Sequence, residues 1–96
     1  MKRTNSEAIG DLIHQYLRQQ GLEAPLNEYR LIQGWAHVMG PIVNRYTKDL
    51  AIRNQTLYVQ LTSPVIRQEL LMQRNEFIQR LNAYVGAQVI TNIVFH

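Results

Sequence analysis

From Leu57 to Thr62 the chain alternates without a fault: Leu57, Val59 and Leu61 fall on one side, and Tyr58, Gln60 and Thr62 on the other. Ser63 and Pro64 follow at once. Successive side chains of a strand point to opposite faces, so this run is a strand with one apolar and one polar side. Ser63 is a favourable helix N-cap and Pro64 suits the first helical position, so the strand passes into a helix with no loop between them. A sheet covered on one face by helices follows from that junction. The same junction sets Arg67 in the first turn of the new helix, where the helix dipole disfavours a cation unless an anion lies nearby.

The flanking segments extend this pattern. Upstream, Tyr46 to Ile52 reads as a strand in which Leu50 and Ile52 alternate with polar or small neighbours, and Arg53-Asn54-Gln55 is a short turn, making an antiparallel hairpin. Before the hairpin, Ile9, Leu12, Ile13, Tyr16 and Leu17 recur at the spacing of one helix face. Thr4 and Glu7 stand as a capping box and Gly21 as the stop, so a first helix runs over about 5 to 20. Its other side carries Glu7, Asp11, Gln15, Arg18 and Gln19, a solvated face. A second helix spans about 25 to 39, with Pro25 in its first turn; Leu31, Ile32, Trp35, Val38 and Met39 make its stripe, and Gly40-Pro41 halts it. Ile42 and Val43 then lead into the hairpin. Trp35, within that stripe, is expected to be the main core filler rather than an exposed contact.

Downstream, Ile66, Leu70, Phe77, Leu81 and Tyr84 predict one long third helix over about 64 to 85, closed by Gly86, before a last strand of Val89, Ile90, Ile93, Val94 and Phe95. The order is α-α-β-β-α-β. The third helix serves as a crossover returning the chain parallel, and such crossovers are almost always right-handed. The expected fold is α+β, a three-stranded mixed sheet with helices packed on one face, and residues 1–96 read as a single domain. The open face then carries Asp49, Ala51 and Arg53, Tyr58, Gln60 and Thr62, and Asn92 with His96.

Ninety-six residues hold one core, and 46% hydrophobic against 18% charged residues is the composition of a globular domain rather than a disordered segment. Ten basic against seven acidic side chains give a net charge of +3, which favours anionic partners. The absence of cysteine excludes disulfides, zinc ribbons and thiol catalysis, and fits a cytoplasmic setting. Glu7 and Asp11 interrupt any apolar leader, and no run approaches the roughly 20 apolar residues of a membrane span.

Catalytic chemistry finds no foothold. His14 and His37 lie on separate helices, neither with a second ligand at i+3 or i+4, and His96 is terminal. Glu69 and Glu76 fit a solvated face, with Arg80 placed to pair with Glu76. Gly10, Gly21, Gly34, Gly40 and Gly86 form neither a Walker loop nor GxGxxG, and Ser63 is a cap rather than a nucleophile. No enzyme activity, cofactor or metal is expected. The candidate function lies instead with nucleic acid. Tyr58 faces the open side of the sheet, where a ring can stack a base. Lys48 and Arg53 share that side, and Arg67 and Arg74, seven apart, share nearly one face of the third helix. As a set these cations would hold a phosphate backbone in a salt-dependent way.

The ordered residues also carry a resemblance. The run Trp35-Ala36-His37-Val38-Met39-Gly40-Pro41, then Leu57 to Ser63, Gln68-Glu69-Leu70, Leu81-Asn82, Gly86 and Ile93-Val94-Phe95 resembles the DciA family of bacterial proteins from about residue 8 to 95. It rests on the joint spacing of W-x-x-V-x-G, L-x-V-x-L-x-S, E-L and L-N. The resemblance implies a KH-like domain that assists the replicative DNA helicase of the DnaB type, a role also filled by ATP-driven loaders of the DnaC and DnaI type. It implies contact with both the helicase and single-stranded DNA, without hydrolysis. The sequence departs from nucleic-acid-binding KH domains in having no G-x-x-G loop. It also ends at His96 after the last strand, implying a short form without the basic extension of many members. Two other readings stay open at this stage: a KH-like RNA-binding protein, and a protein-binding module whose charge serves only solubility. Exposed edge strands leave the oligomeric state open as well.

Overall fold

The computed structural model describes the backbone of residues 5–96 and the side chains of residues 8–96, so the expected Thr4–Glu7 capping box lies outside the described part. At its centre is the expected hairpin. Strand β1 (Thr47–Arg53) pairs antiparallel with β2 (Thr56–Leu61), placing Leu50 opposite Val59 and Ile52 opposite Leu57. The connecting turn holds Asn54 and Gln55 at φ of 50° and 59°. Two consecutive left-handed residues give a turn whose twist matches that of the strands, and asparagine adopts this conformation more readily than most residues.

Strand β3 (Asn92–Phe95) pairs parallel with β2, setting Ile93 beside Leu57 and Phe95 beside Val59, in the sheet order β1-β2-β3. Register puts Leu57, Val59, Leu61, Ile93 and Phe95 on one buried face, as the alternation in the sequence predicts. They join a single hydrophobic cluster with residues from the helices, so the helices cover that one face. The fold is thus α+β with a three-stranded mixed sheet.

Among the described residues the chain forms five helices: α1 (Asn5–Gln19), α2 (Glu23–Met39), α3 (Pro41–Arg45), α4 (Pro64–Met72) and α5 (Arg74–Val85). Three of them, α3, α4 and α5, correct the sequence reading. Ile42 and Val43 form the short α3, because Gly40 at φ 89° turns the chain out of α2 and Pro41 restarts a helix at its first position. The single long third helix is two helices, broken at Gln73 with φ −120° and ψ 23°. There the Gln73 N–H bonds back to the Leu70 carbonyl at 3.1 Å, and the Gln73 carbonyl accepts from Phe77 to begin α5. The break lets α4 follow the sheet while α5 packs along α2, two directions that one straight rod cannot serve.

Two polar clamps fix the core's edges. The Trp35 indole N–H donates to Thr47 Oγ1 at 3.1 Å, and that hydroxyl donates to the Val43 carbonyl at 2.8 Å, tying α2, α3 and β1 together. Trp35 is only 1% exposed, the core filler its stripe predicts; a buried indole N–H needs such a partner. At the far end of α5, the Asn82 side chain donates to the Ile90 carbonyl at 2.8 Å and accepts from the amides of Val89 and Ile90. Its own carbonyl receives the Gly86 amide, which closes the helix in the left-handed conformation. Val89 and Ile90 are therefore buried by a clamped loop ahead of β3 rather than by the strand itself.

The buried stripe of α5 continues from Leu81 to Val85, not to Tyr84 as the periodicity suggested. Tyr84 instead lies over Gly34 of α2, where an added Cβ would fall inside the ring's van der Waals envelope. A larger departure is α1. Ile9, Leu12, Ile13 and Tyr16 are 58, 65, 53 and 59% exposed, and only Leu17 of that stripe is half-buried. The molecule extends 50 × 26 × 20 Å.

Candidate nucleic-acid interface

The open face of the sheet is built by register. Tyr58 lies in β2 between Ala51 of β1 and Val94 of β3, and one step along, Thr56 lies between Arg53 and Asn92. Alternation turns Tyr58 away from the buried Leu57 and Val59, leaving its ring half-buried on the side opposite the helices. The Arg53 guanidinium sits 4.8 Å from the ring centroid, within reach of a cation–π attraction that holds a flexible cation in place. A planar cation and an aromatic ring at one spot offer a charge for phosphate and a surface for a base.

Lys48 lies in the same strand but in a different setting. The pairing slips between Thr47 and Asp49, and Lys48 is the bulged residue without a partner across the ladder. It is exposed, and five residues separate it from Arg53, about 16 Å along a strand. Asp49, opposite Gln60, brings a negative charge between them.

Arg67 and Arg74 belong elsewhere. The Ser63 Oγ accepts the Ile66 amide at 3.2 Å, so Ser63 caps α4 as its sequence predicts, and Arg67 is half-buried in the first turn of that helix. Arg74 opens α5 beyond the break at Gln73 and is exposed. The break removes the continuous helix on which the two were expected to align. Both lie in the helical layer, behind the face that carries Tyr58. Of the five predicted residues the structure brings Arg53 and Tyr58 together; Lys48 is set apart on β1, and Arg67 and Arg74 are on other elements.

Two of the remaining candidates have structural contacts. Arg80 donates to the Val38 carbonyl at 3.0 Å, near the C-terminal end of α2, and lies over the Phe77 ring instead of pairing with Glu76 as expected. His37 packs beside the Tyr84 ring with centroids 5.4 Å apart. Among the described residues no cluster of His, Cys, Asp or Glu is placed to hold a metal, and no helix is long and apolar enough to cross a membrane. An open cleft of about 450 Å³ lies between the α1–α2 junction, the hairpin turn and the loop after α5, lined in part by Arg18, Glu23, Gln55 and Gln88. Arg18 and Glu23 pair there at 3.1 Å. None of the five predicted residues lines it.

Sequence reasoning missed two features. It did not give Asn82 its task as a loop clamp, for which the only signal was an asparagine four residues before a terminating glycine. It also gave no sign that the stripe of α1 stays exposed, because an amphipathic helix has the same spacing whether or not it is covered.

The family model described as "Dna[CI] antecedent, DciA" matches residues 8–95. No curated protein matches the chain.

Proposed function

The chain belongs to the DciA family, and from that premise we infer that it is a non-enzymatic accessory of DNA replication. In this reading the α+β body is a KH-like domain acting in the cytoplasm, where it docks on the replicative DNA helicase of the DnaB type and holds single-stranded DNA weakly. The observation that carries the reading is the family match, which spans nearly all of the chain. Its fit to a helicase partner is at the level of the family, and the contact with DNA rests on the sheet face.

That face supports weak binding rather than tight. The Arg53–Tyr58 pair supplies one cation and one ring, Lys48 a second cation further along β1, and Asp49 an opposing charge between them. There is no G-x-x-G loop to clamp a backbone. A strand crossing the open face would stack a base on Tyr58 and set its phosphates near Arg53. In this reading Arg67 and Arg74, carried by α4 and α5, take no part in that contact.

Two measurements test the two halves. Immobilised chain should capture the cognate helicase from cell extract; reproducible failure with folded protein contradicts docking. Labelled single-stranded DNA and RNA, titrated at two salt concentrations, should both lose affinity on Tyr58→Ala. Arg53→Ala should flatten the log–log salt slope by about 0.7, the share of one phosphate contact on a single strand. A slope and affinity untouched by either substitution would remove the sheet face from the account, and a strong preference for RNA would turn it toward an RNA-binding protein.

A further inference from the structure

Four large apolar side chains on one turn-spaced line, each more than half exposed, are a surface that water covers at a cost. They belong to α1, whose Ile9, Leu12, Ile13 and Tyr16 face away from the core, while Leu17 alone turns toward the body. We propose that this stripe is a self-association surface: two copies of the chain pack α1 against α1, antiparallel, about a twofold axis passing between Leu12 and Ile13.

The occupant follows from the symmetry and charge of the stripe. Under that axis Leu12 meets Ile13 of the second copy and Ile9 meets Tyr16, so every apolar residue finds an apolar partner, as an isologous contact requires. The margins are neutral: Ala8, Gly10, Gln15 and Gln19 flank the line. Helical spacing sets Asp11, His14 and Arg18 away from it, and Arg18 is engaged with Glu23. A second copy thus brings no like charge against the seam. An antiparallel arrangement also opposes the two helix dipoles. It is favoured sterically as well, because α1 joins the body at its C-terminal end. Helix axes pack about 8–10 Å apart, and parallel copies would bring two bodies of 26 × 20 Å cross-section to the same end. Antiparallel copies place them at opposite ends.

The pair would bury on the order of 1,000 Å² over both copies, the lower edge of specific protein–protein interfaces. The dimer is accordingly weak and dependent on concentration. Sedimentation of the full chain should show monomer at about 1 µM and dimer at about 100 µM. Leu12→Glu should abolish the dimer without shifting thermal unfolding of the dilute monomer. Since the chain has no cysteine of its own, register can be read by oxidation of single-cysteine variants. Leu12→Cys should crosslink with itself. Ile9→Cys should not, since its two copies are about 10 Å apart along the axis, but it should crosslink when mixed with Tyr16→Cys. Self-crosslinking of Ile9→Cys as efficient as that of Leu12→Cys would overturn the register, and with it the proposal. So would a chain that stays monomeric at 100 µM, or a dimer indifferent to Leu12→Glu. A monomeric chain whose helicase capture is lost on Leu12→Glu would assign the stripe to the helicase and overturn self-association as well.

Discussion

Helices α1 and α2 carry the same signature, apolar residues at helical spacing against a polar back, yet they end in opposite environments. In α2, Leu31 and Trp35 are sealed against the sheet, and Trp35 is tied by its indole N–H to Thr47. In α1, Ile9, Leu12, Ile13 and Tyr16 remain in water. The difference lies in what each helix can reach. Helix α2 packs along α5 and above β1, and its stripe meets the apolar side of the sheet. By the time the sheet's one apolar face is covered by α2, α4 and α5, no surface is left over for α1. Periodicity thus reports that a helix has an apolar side, and the number of apolar faces elsewhere decides whether that side is buried within the chain.

The comparison can be broken by substitutions on either side of it. The largest effect should come from Trp35→Ala, which empties the largest fully buried position and orphans the Thr47 hydroxyl contact. A loss of about 3–5 kcal/mol in urea unfolding is expected, and a loss below about 1 kcal/mol would mean that α2 is not the core helix described here. Asn82→Ala should follow closely. It removes three hydrogen bonds and leaves the Val89 and Ile90 amides without their acceptor, for a cost of about 2–4 kcal/mol by the same measurement. Faster amide exchange at Val89 and Ile90 would accompany it.

Gly34→Ala should cost about 1–3 kcal/mol, because its Cβ needs the space of the Tyr84 ring. The double variant with Tyr84→Ala should recover part of that loss, which separates a steric cause from loss of helix geometry. Smallest of all should be Leu12→Ser on α1, within about 0.5 kcal/mol of the parent in dilute solution. A cost there as large as at Trp35 would place the α1 stripe in the monomer's core and erase the contrast between the two helices.

Much of the architecture was legible from local patterns. The faultless alternation of Leu57 to Thr62 gave the register of β2 and its open side, and Ser63-Pro64 gave the helix start, because a strand period and a capping serine are local chemistry. The parallel return of β3 followed from connectivity. What the pattern could not carry was tertiary. The break at Gln73 has no glycine or proline to mark it, and Ile66, Leu70, Phe77 and Leu81 keep one phase across it. Only the separate demands of the sheet and of α2 reveal it. The same break sets Arg67 and Arg74 on two helices instead of one. At the candidate interface, alternation was enough to set Arg53 and Tyr58 on one face, whereas their 4.8 Å stack depends on a side-chain conformation that spacing does not encode. Lys48 stands an odd number of residues from Arg53, so alternation alone does not set the two on one face, and the bulge leaves it without a cross-strand partner.

The proposed role in replication stands or falls on one partner. Isothermal titration of the purified chain into the purified cognate DnaB-type helicase, without nucleic acid present, tests it most directly. The account predicts saturable binding with a defined stoichiometry; no heat and no co-sedimentation, with both proteins folded and at concentrations well above micromolar, would contradict it.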